Sequence, residues 1–199
     1  MDELALIHDA QHGNVESFNT LILHYQASVY NLAYRLTGEA DAAADATQEA
    51  FISAYGHLTQ FRGGNFKSWL MRIVTNACYD EMRQRKRRPA VSLDDPDHEA
   101  EVQLINSGDG PESIAQQNAL NRAIQDCLNA LPSDQRLVTV LCDVQGYDYQ
   151  EIAQIANVSL GTVKSRISRA RQRLRDCLQG AAELLPESYR LKDSELKDD

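Results

Sequence analysis

The stretch from Leu131 to Arg175 reads LPSDQRLVTVLCDVQGYDYQEIAQIANVSLGTVKSRISRARQRLR, and its punctuation decides the fold. Leu131-Pro132 opens a helix, because proline costs nothing where the first-turn N–H has no partner. Leu137, Val138, Val140, Leu141 and Val144 give that helix a core, and Gly146 closes it. Asp148 and Glu151 have capping-box spacing, in which each side chain satisfies the other residue's backbone N–H at the start of a short helix. Ile152, Ala153, Ile155 and Ala156 face inward from that helix. The turn NVSLG follows with Ser159 as N-cap, and a last helix from Thr162 to Leu178 buries Val163, Ile167, Ala170 and Leu174. A short helix, a tight turn and a longer helix make a helix-turn-helix, whose second helix fits a major groove. Its exposed side carries Lys164, Ser165, Arg166, Ser168, Arg169, Arg171, Gln172, Arg173 and Arg175. Donors in the N-terminal half suit base edges, and the later arginines suit phosphates.

Charge extends this reading outward. The net charge is −9, which by itself argues against nucleic acid. Its distribution reverses the argument. From Lys164 to Arg175 six basic residues stand unopposed, a balance of +6. From Arg62 to Arg88 eight basic residues face only Asp80 and Glu81, again +6, so the remainder of the chain sums to −21. Two basic patches on an acidic chain predict two separate phosphate-binding surfaces.

The upstream half is helical too, with no run of strict alternation. One helix from about Val15 to Leu36 places Phe18, Leu21, Ile22, Tyr25, Val29, Leu32, Ala33 and Leu36 on a stripe, and Gly38 stops it. A second, from about Asp41 to Tyr55, turns Ala43, Ala46, Ala50, Phe51 and Ala54 inward. On another face Asp45, Gln48, Glu49 and Ile52 follow at i, i+3, i+4 and i+7, an apolar anchor among polar groups that suits protein docking. A third begins near Asn65 or Phe66, packs Phe66, Trp69, Leu70, Ile73, Val74 and Ala77, and ends before Pro89. Its opposite side repeats Arg72, Asn76, Asp80, Arg83 and Arg87 in one row. Phe61 and Arg62 lie beside a Gly-Gly pair, in a loop able to offer a ring to an unstacked base; Phe61 serves equally as a core plug.

Residues 89–111 hold Pro, Gly, Ser, Asn and acidic side chains with almost nothing to bury, which predicts a flexible acidic linker. The expectation is an all-α protein of two small helical domains, 1–88 and 112–180, with an acidic tail over 181–199. The N-terminus is acidic where a signal peptide would be basic, and no stretch approaches a membrane span, so a cytoplasmic chain without membrane insertion is expected. Cys78, Cys127, Cys142 and Cys177 are scattered singly and read as core or half-buried thiols, with neither a zinc cluster nor a disulfide framework. His8, His12 and Glu16 sit one turn apart on a predicted helix, but HDAQH lacks the glutamate of H-E-x-x-H and reads as a solvated face. No catalytic residue, metal or cofactor is expected.

Three segments in order resemble the extracytoplasmic-function sigma factors of the sigma-70 family: DAAADATQEAFISAY, FRGGNFKSWLMRIVTNACYDEMRQRKRR and the helix-turn-helix stretch. The resemblance spans about residues 4 to 178 and implies sigma domain two over 1–88 and sigma domain four over 112–180. It further implies core RNA polymerase as partner, through the largest-subunit clamp helices and the flap of the second subunit, together with promoter DNA and a cognate anti-sigma factor. On that reading Asp45, Gln48, Glu49 and Ile52 bind polymerase. Phe61, Arg62 and Asn76 capture the minus-ten strand, with Arg83, Arg87 and Arg88 on its backbone. Lys164, Ser165, Ser168 and Arg169 read the minus-thirty-five element, with Arg171 and Arg173 on phosphates. The linker is then expected to thread the polymerase cleft and RNA exit path. A stand-alone regulator similar to response-regulator effector domains would account for 131–175 alone and would leave the Asp45 stripe and the second basic patch without a role.

Overall fold

The computed structural model describes residues 2–87 and 111–180. Apart from Pro111, the expected linker lies outside the described residues, as does the expected tail over 181–199. Helices α1 (Glu3–Gln11), α2 (Val15–Thr37), α3 (Ala40–His57) and α4 (Phe66–Arg87) form the first half. The second half comprises α5 (Pro111–Asn129), α6 (Ser133–Thr139), α7 (Tyr149–Ala156) and α8 (Leu160–Gln179). A 3₁₀ turn over Leu58–Gln60 follows α3, and α6 runs on as a π-helical segment, Val140–Val144.

Several helices start where the sequence supplies a side-chain cap. Asn14 Oδ1 accepts from Ser17 N at the start of α2, and Ser159 Oγ accepts from Thr162 N at the start of α8. The predicted box at α7 is complete: Asp148 Oδ1 accepts from Gln150 N and Glu151 N, while Glu151 Oε2 accepts from Asp148 N. Asn157 closes α7 at φ 53°, a left-handed position that asparagine tolerates.

The first half buries the predicted α2 stripe from Phe18 to Leu36 against the Ala43, Ala46, Ala50 and Ala54 row of α3 and the apolar side of α4. The alanine row lets the α2 and α4 side chains fill the space between helices that a larger residue would occupy. On α4 the core side is Phe66, Leu70, Met71, Val74, Ala77 and Cys78; Trp69 and Ile73, expected inside, are half-buried at its edge. The second half buries Leu137, Val138, Val140 and Leu141 with Ile152, Ile155, Val163, Ile167 and Ala170.

The halves dock on each other. Arg136 on α6 is buried and donates to Leu36 O at 2.6 Å and to Asn129 O at 2.6 Å, bridging the end of α2 to the end of α5. Gly38 closes α2 at φ 81°, and a Cβ there would meet the Asn129 amide at 2.6 Å, so both the backbone angle and the approach of α5 require glycine. Ser28 and Gln145 exchange two bonds, and Arg35 Nη1 donates to Gln125 Oε1 at 3.1 Å. On the other flank Asn65 Nδ2 donates to Glu151 Oε1 at 2.9 Å, Tyr79 Oη to Ser133 O at 3.2 Å, and Lys67 Nζ stands 4.8 Å from the centre of the Tyr147 ring.

Two sequence expectations are corrected here. Val144, expected in the core, is 51% exposed, because the π-helical segment it ends does not keep the α-helical period. Cys127 and Cys177, expected as separate thiols, form a disulfide with an S–S distance of 2.03 Å. They are 50 residues apart in sequence, but packing of α5 along α8 brings their Cα atoms to 5.8 Å, within bonding range. Spacing along the chain carried no sign of that approach. Cys78 and Cys142 are free thiols, buried and half-buried respectively.

Candidate protein and nucleic-acid interfaces

On α3, Asp45, Gln48, Glu49 and Ile52 are exposed together, with Ile52 58% accessible amid the polar groups. The helical spacing that predicted this face holds, because the buried alanines occupy the opposite side of the same turns. Across from it α4 presents Ala77, Asp80, Glu81, Arg83, Gln84 and Arg87, so the two helices form the walls of one open groove. Residues read from the sequence as belonging to two interfaces, one for protein and one for DNA, thus share a surface.

Arg85 was missed by the sequence reading and organises that groove. Its guanidinium lies 2.6 Å from Glu81 Oε1, 2.5 Å from Glu39 Oε2 and 3.7 Å from Asp45 Oδ2, tying α4 to α3. The Glu81 hydrogen bond, helped by the Glu39, Glu81 and Asp45 charges and against the opposing effect of burial, holds its pKa above the usual arginine value. The i, i+4 spacing from Glu81 was the available signal; the long-range partners had none. Arg83 pairs with Asp80 one turn back.

Along α4, Arg72, Asn76, Arg83 and Arg87 are exposed as one row, and Arg62 is exposed at its head. Arg88 lies outside the described residues. Phe61 is in the core: its ring meets Phe66 edge-on at 5.4 Å and Trp69 at 5.3 Å, and its carbonyl accepts from Gln11 Nε2 at 2.7 Å. Of the two roles open to it in the sequence, the core plug is the one the structure displays. The ring has two aromatic neighbours within van der Waals reach, which outweighs exposure to water.

On α8, Lys164, Ser165, Ser168, Arg169 and Arg173 are exposed on the side opposite Val163, Ile167 and Ala170. Arg171 is exposed as well, but it is committed within the chain: its Nε donates to Asp143 Oδ2 at 3.2 Å and its Nη2 to Asp143 Oδ1 at 2.5 Å. That fork-on-carboxylate contact raises its pKa above the usual arginine value. Arg166 is likewise held by Asp134 at 2.9 Å. The +6 count of the recognition segment therefore overstates its free positive charge, because α6 and its π-helical extension supply acidic partners from outside the segment.

At the N-terminus the His8 and His12 rings meet at a 38° tilt with centres 4.3 Å apart, and His12 Nδ1 lies 2.8 Å from His8 O. Among the described residues no group of three metal-ligating side chains converges, and no helix is long and apolar enough to cross a membrane.

With this geometry in place, the comparisons with known proteins divide the chain as the folding does. Residues 21–88 match the sigma-70 region 2 family and residues 121–174 the sigma-70 region 4 family. The chain is 39% identical over 162 residues to "ECF RNA polymerase sigma factor SigE" of Mycolicibacterium smegmatis, a match covering 81% of this chain and 62% of that protein's length. It is 33% identical over 186 residues to "ECF RNA polymerase sigma-E factor" of Escherichia coli K12, covering 90% of this chain and 95% of the relative. The sigma factor RpoE of Bartonella quintana, solved in complex with the anti-sigma factor NepR, superposes with a TM-score of 0.63 at 28% identity, over 82% of this chain and 98% of that one. The protein is a member of the sigma-70 family. Within it, the chain belongs to the extracytoplasmic-function sigma factors, which are transcription initiation factors rather than enzymes.

Proposed function

We propose that this chain binds core RNA polymerase in the cytoplasm and directs promoter-specific initiation, with region 2 on the minus-ten element and region 4 on the minus-thirty-five element. The observation that carries this reading is the presence, on one chain, of the exposed α8 face and the exposed Ile52-centred face of α3. A duplex-binding regulator needs the first and has no use for the second.

In this reading Asp45, Gln48, Glu49 and Ile52 meet the polymerase clamp, Ile52 filling an apolar site and the polar groups ringing it. Lys164, Ser165, Ser168 and Arg169 enter the major groove, and Arg173 takes a phosphate. Arg171 reaches a phosphate only by giving up Asp143. Arg62 and Asn76 hold the displaced minus-ten strand, with Arg83, Arg87 and Arg88 along its backbone, while Phe61 fixes the loop that carries Arg62. If Phe61 is to stack on a base, the ring must leave its Phe66 and Trp69 neighbours. Strand capture draws on binding alone: unstacking a base costs a few kcal/mol and aromatic stacking returns about 1–3 kcal/mol per base. The acidic remainder weakens association with bulk DNA, so that promoter binding depends on the holoenzyme. An anti-sigma partner fits the same scheme, since the RpoE relative is seen bound to one.

The test is footprinting of the reconstituted holoenzyme on a promoter it transcribes. Protection near minus thirty-five and permanganate-reactive thymines near minus ten are expected; protection by the chain without polymerase would contradict the proposal.

A further inference from the structure

Helix α5 of the second half packs on α8 and on α2 of the first half, and a single turn of it faces both. Gln125 and Asn129 are one turn apart, joined by a Gln125 Nε2 to Asn129 Oδ1 bond of 3.1 Å. Both face the docked α2–α6 corner: Gln125 meets Arg35, and Asn129 meets Arg136, which also donates to Leu36 O. Cys127 is two residues from each, on the other side of the helix, and is bonded to Cys177 of α8. Beyond Ala170, no side chain of α8 is buried through Gln179; Leu174 and Leu178 are half-buried and Cys177 itself is exposed. The cross-link is thus the strongest fixing of that end of α8 to α5, and it joins the buried Cys127 to the exposed Cys177. Cys78 differs in being enclosed, its thiol pushed up to about 12 by burial, and Cys142 is half-buried with its thiol raised by burial and by Asp143.

We propose that Cys127 and Cys177 are a reversible redox couple, whose disulfide holds α5 in the position that docks region 4 on region 2 and whose dithiol form releases that docking. The oxidant is hydrogen peroxide. The Cys177 thiolate attacks the O–O bond and becomes a sulfenic acid as the first water leaves. The Cys127 sulfur then attacks Cys177, the S–S bond forms, and the sulfenic hydroxyl departs as a second water with the Cys127 proton. Two thiols lose two electrons and two protons, and the peroxide is reduced to two waters. A small dithiol reverses the process through two exchange steps. Reduction leaves Val163, Ile167 and Ala170 in their core, so the reading face of α8 is retained while the Gln125–Arg35 and Asn129–Arg136 contacts lose their fixed support.

The test uses the full chain alone, so its outcome is independent of the promoter reading. After hydrogen peroxide the denatured chain is expected to titrate two thiols, and after dithiothreitol four. Small-angle scattering is expected to give a larger radius of gyration for the reduced chain with helical circular dichroism unchanged. The Cys127→Ser/Cys177→Ser variant is expected to match the reduced chain under both treatments; if that variant loses its helicity, the wild-type pair decides. Four thiols after peroxide, the same radius in both states, or an expansion accompanied by loss of helicity would each overturn the proposal.

Discussion

Arg136 shows how one side chain can hold two helical bundles together. Burial lowers its pKa, and its position is supported by the carbonyls of Leu36, Asn129 and Leu131 and by Asn129 Oδ1 instead of by a carboxylate. Replacing it with alanine strands those acceptors in a closed corner. Arg136→Ala is expected to cost about 2–3 kcal/mol, seen as a lower urea midpoint, whereas an exposed control such as Arg173→Ala leaves the midpoint within about 0.5 kcal/mol. Gly38 tests the same corner from the opposite side. Gly38→Ala imposes a left-handed alanine and a contact with the Asn129 amide, and about 1–2 kcal/mol of destabilisation is expected from the backbone alone. The stop at Gly38 was legible in the sequence, because glycine after an apolar stripe is a helix terminator. Its second constraint was not, since Asn129 is brought to it only by the fold.

At the scale of the helix, periodicity did most of the predictive work. The α2 stripe, the alanine row of α3, the capping box of α7 and the Ser159 cap of α8 were all readable, because each depends on residues within about two turns of one another. Partners supplied by a distant element were not readable: Arg171 joined Asp143, and Cys127 joined Cys177. The two faces that define the proposed function belong to this scale, and they separate in a double experiment. Ile52→Glu on α3 is expected to leave the thermal unfolding midpoint unchanged and to abolish co-elution with core polymerase. Lys164→Ala with Arg169→Ala on α8 is expected to leave co-elution intact and to weaken promoter binding by about 1–3 kcal/mol per lost base contact. A shift in unfolding for either variant, or polymerase loss from the α8 variant, would remove the assignment of these faces.

For the whole molecule, the docking of the two halves was invisible in the sequence, since it includes polar pairs such as Ser28–Gln145 and Asn65–Glu151 with no periodic signature. Burial of titratable groups also sets how the chain responds to alkali. Cys78 is held up to about 12 by burial, and Tyr79 to about 12 chiefly by burial and then by Asp134. Tyr25 and Tyr147 are raised too, burial being the largest cause in each. An unfolded chain releases these protons from about pH 9 to 10, whereas the folded chain retains them to higher pH. The stabilising contribution is therefore complete below about pH 9 and declines as pH rises toward 12. Denaturant midpoints measured at intervals from pH 8 to pH 11 are expected to fall continuously above pH 9; a flat profile would contradict the buried environment assigned to these groups.

The claim that unites these scales is that a chain of net charge −9 reads promoters through polymerase, using two surfaces that neither element supplies alone. Transcription by core polymerase from a promoter library, with and without the full chain, tests it most directly. The account predicts that adding the chain selects a restricted set of promoters sharing a minus-thirty-five and a minus-ten element. An unchanged transcript population, or tight duplex binding by the chain without polymerase, would contradict it.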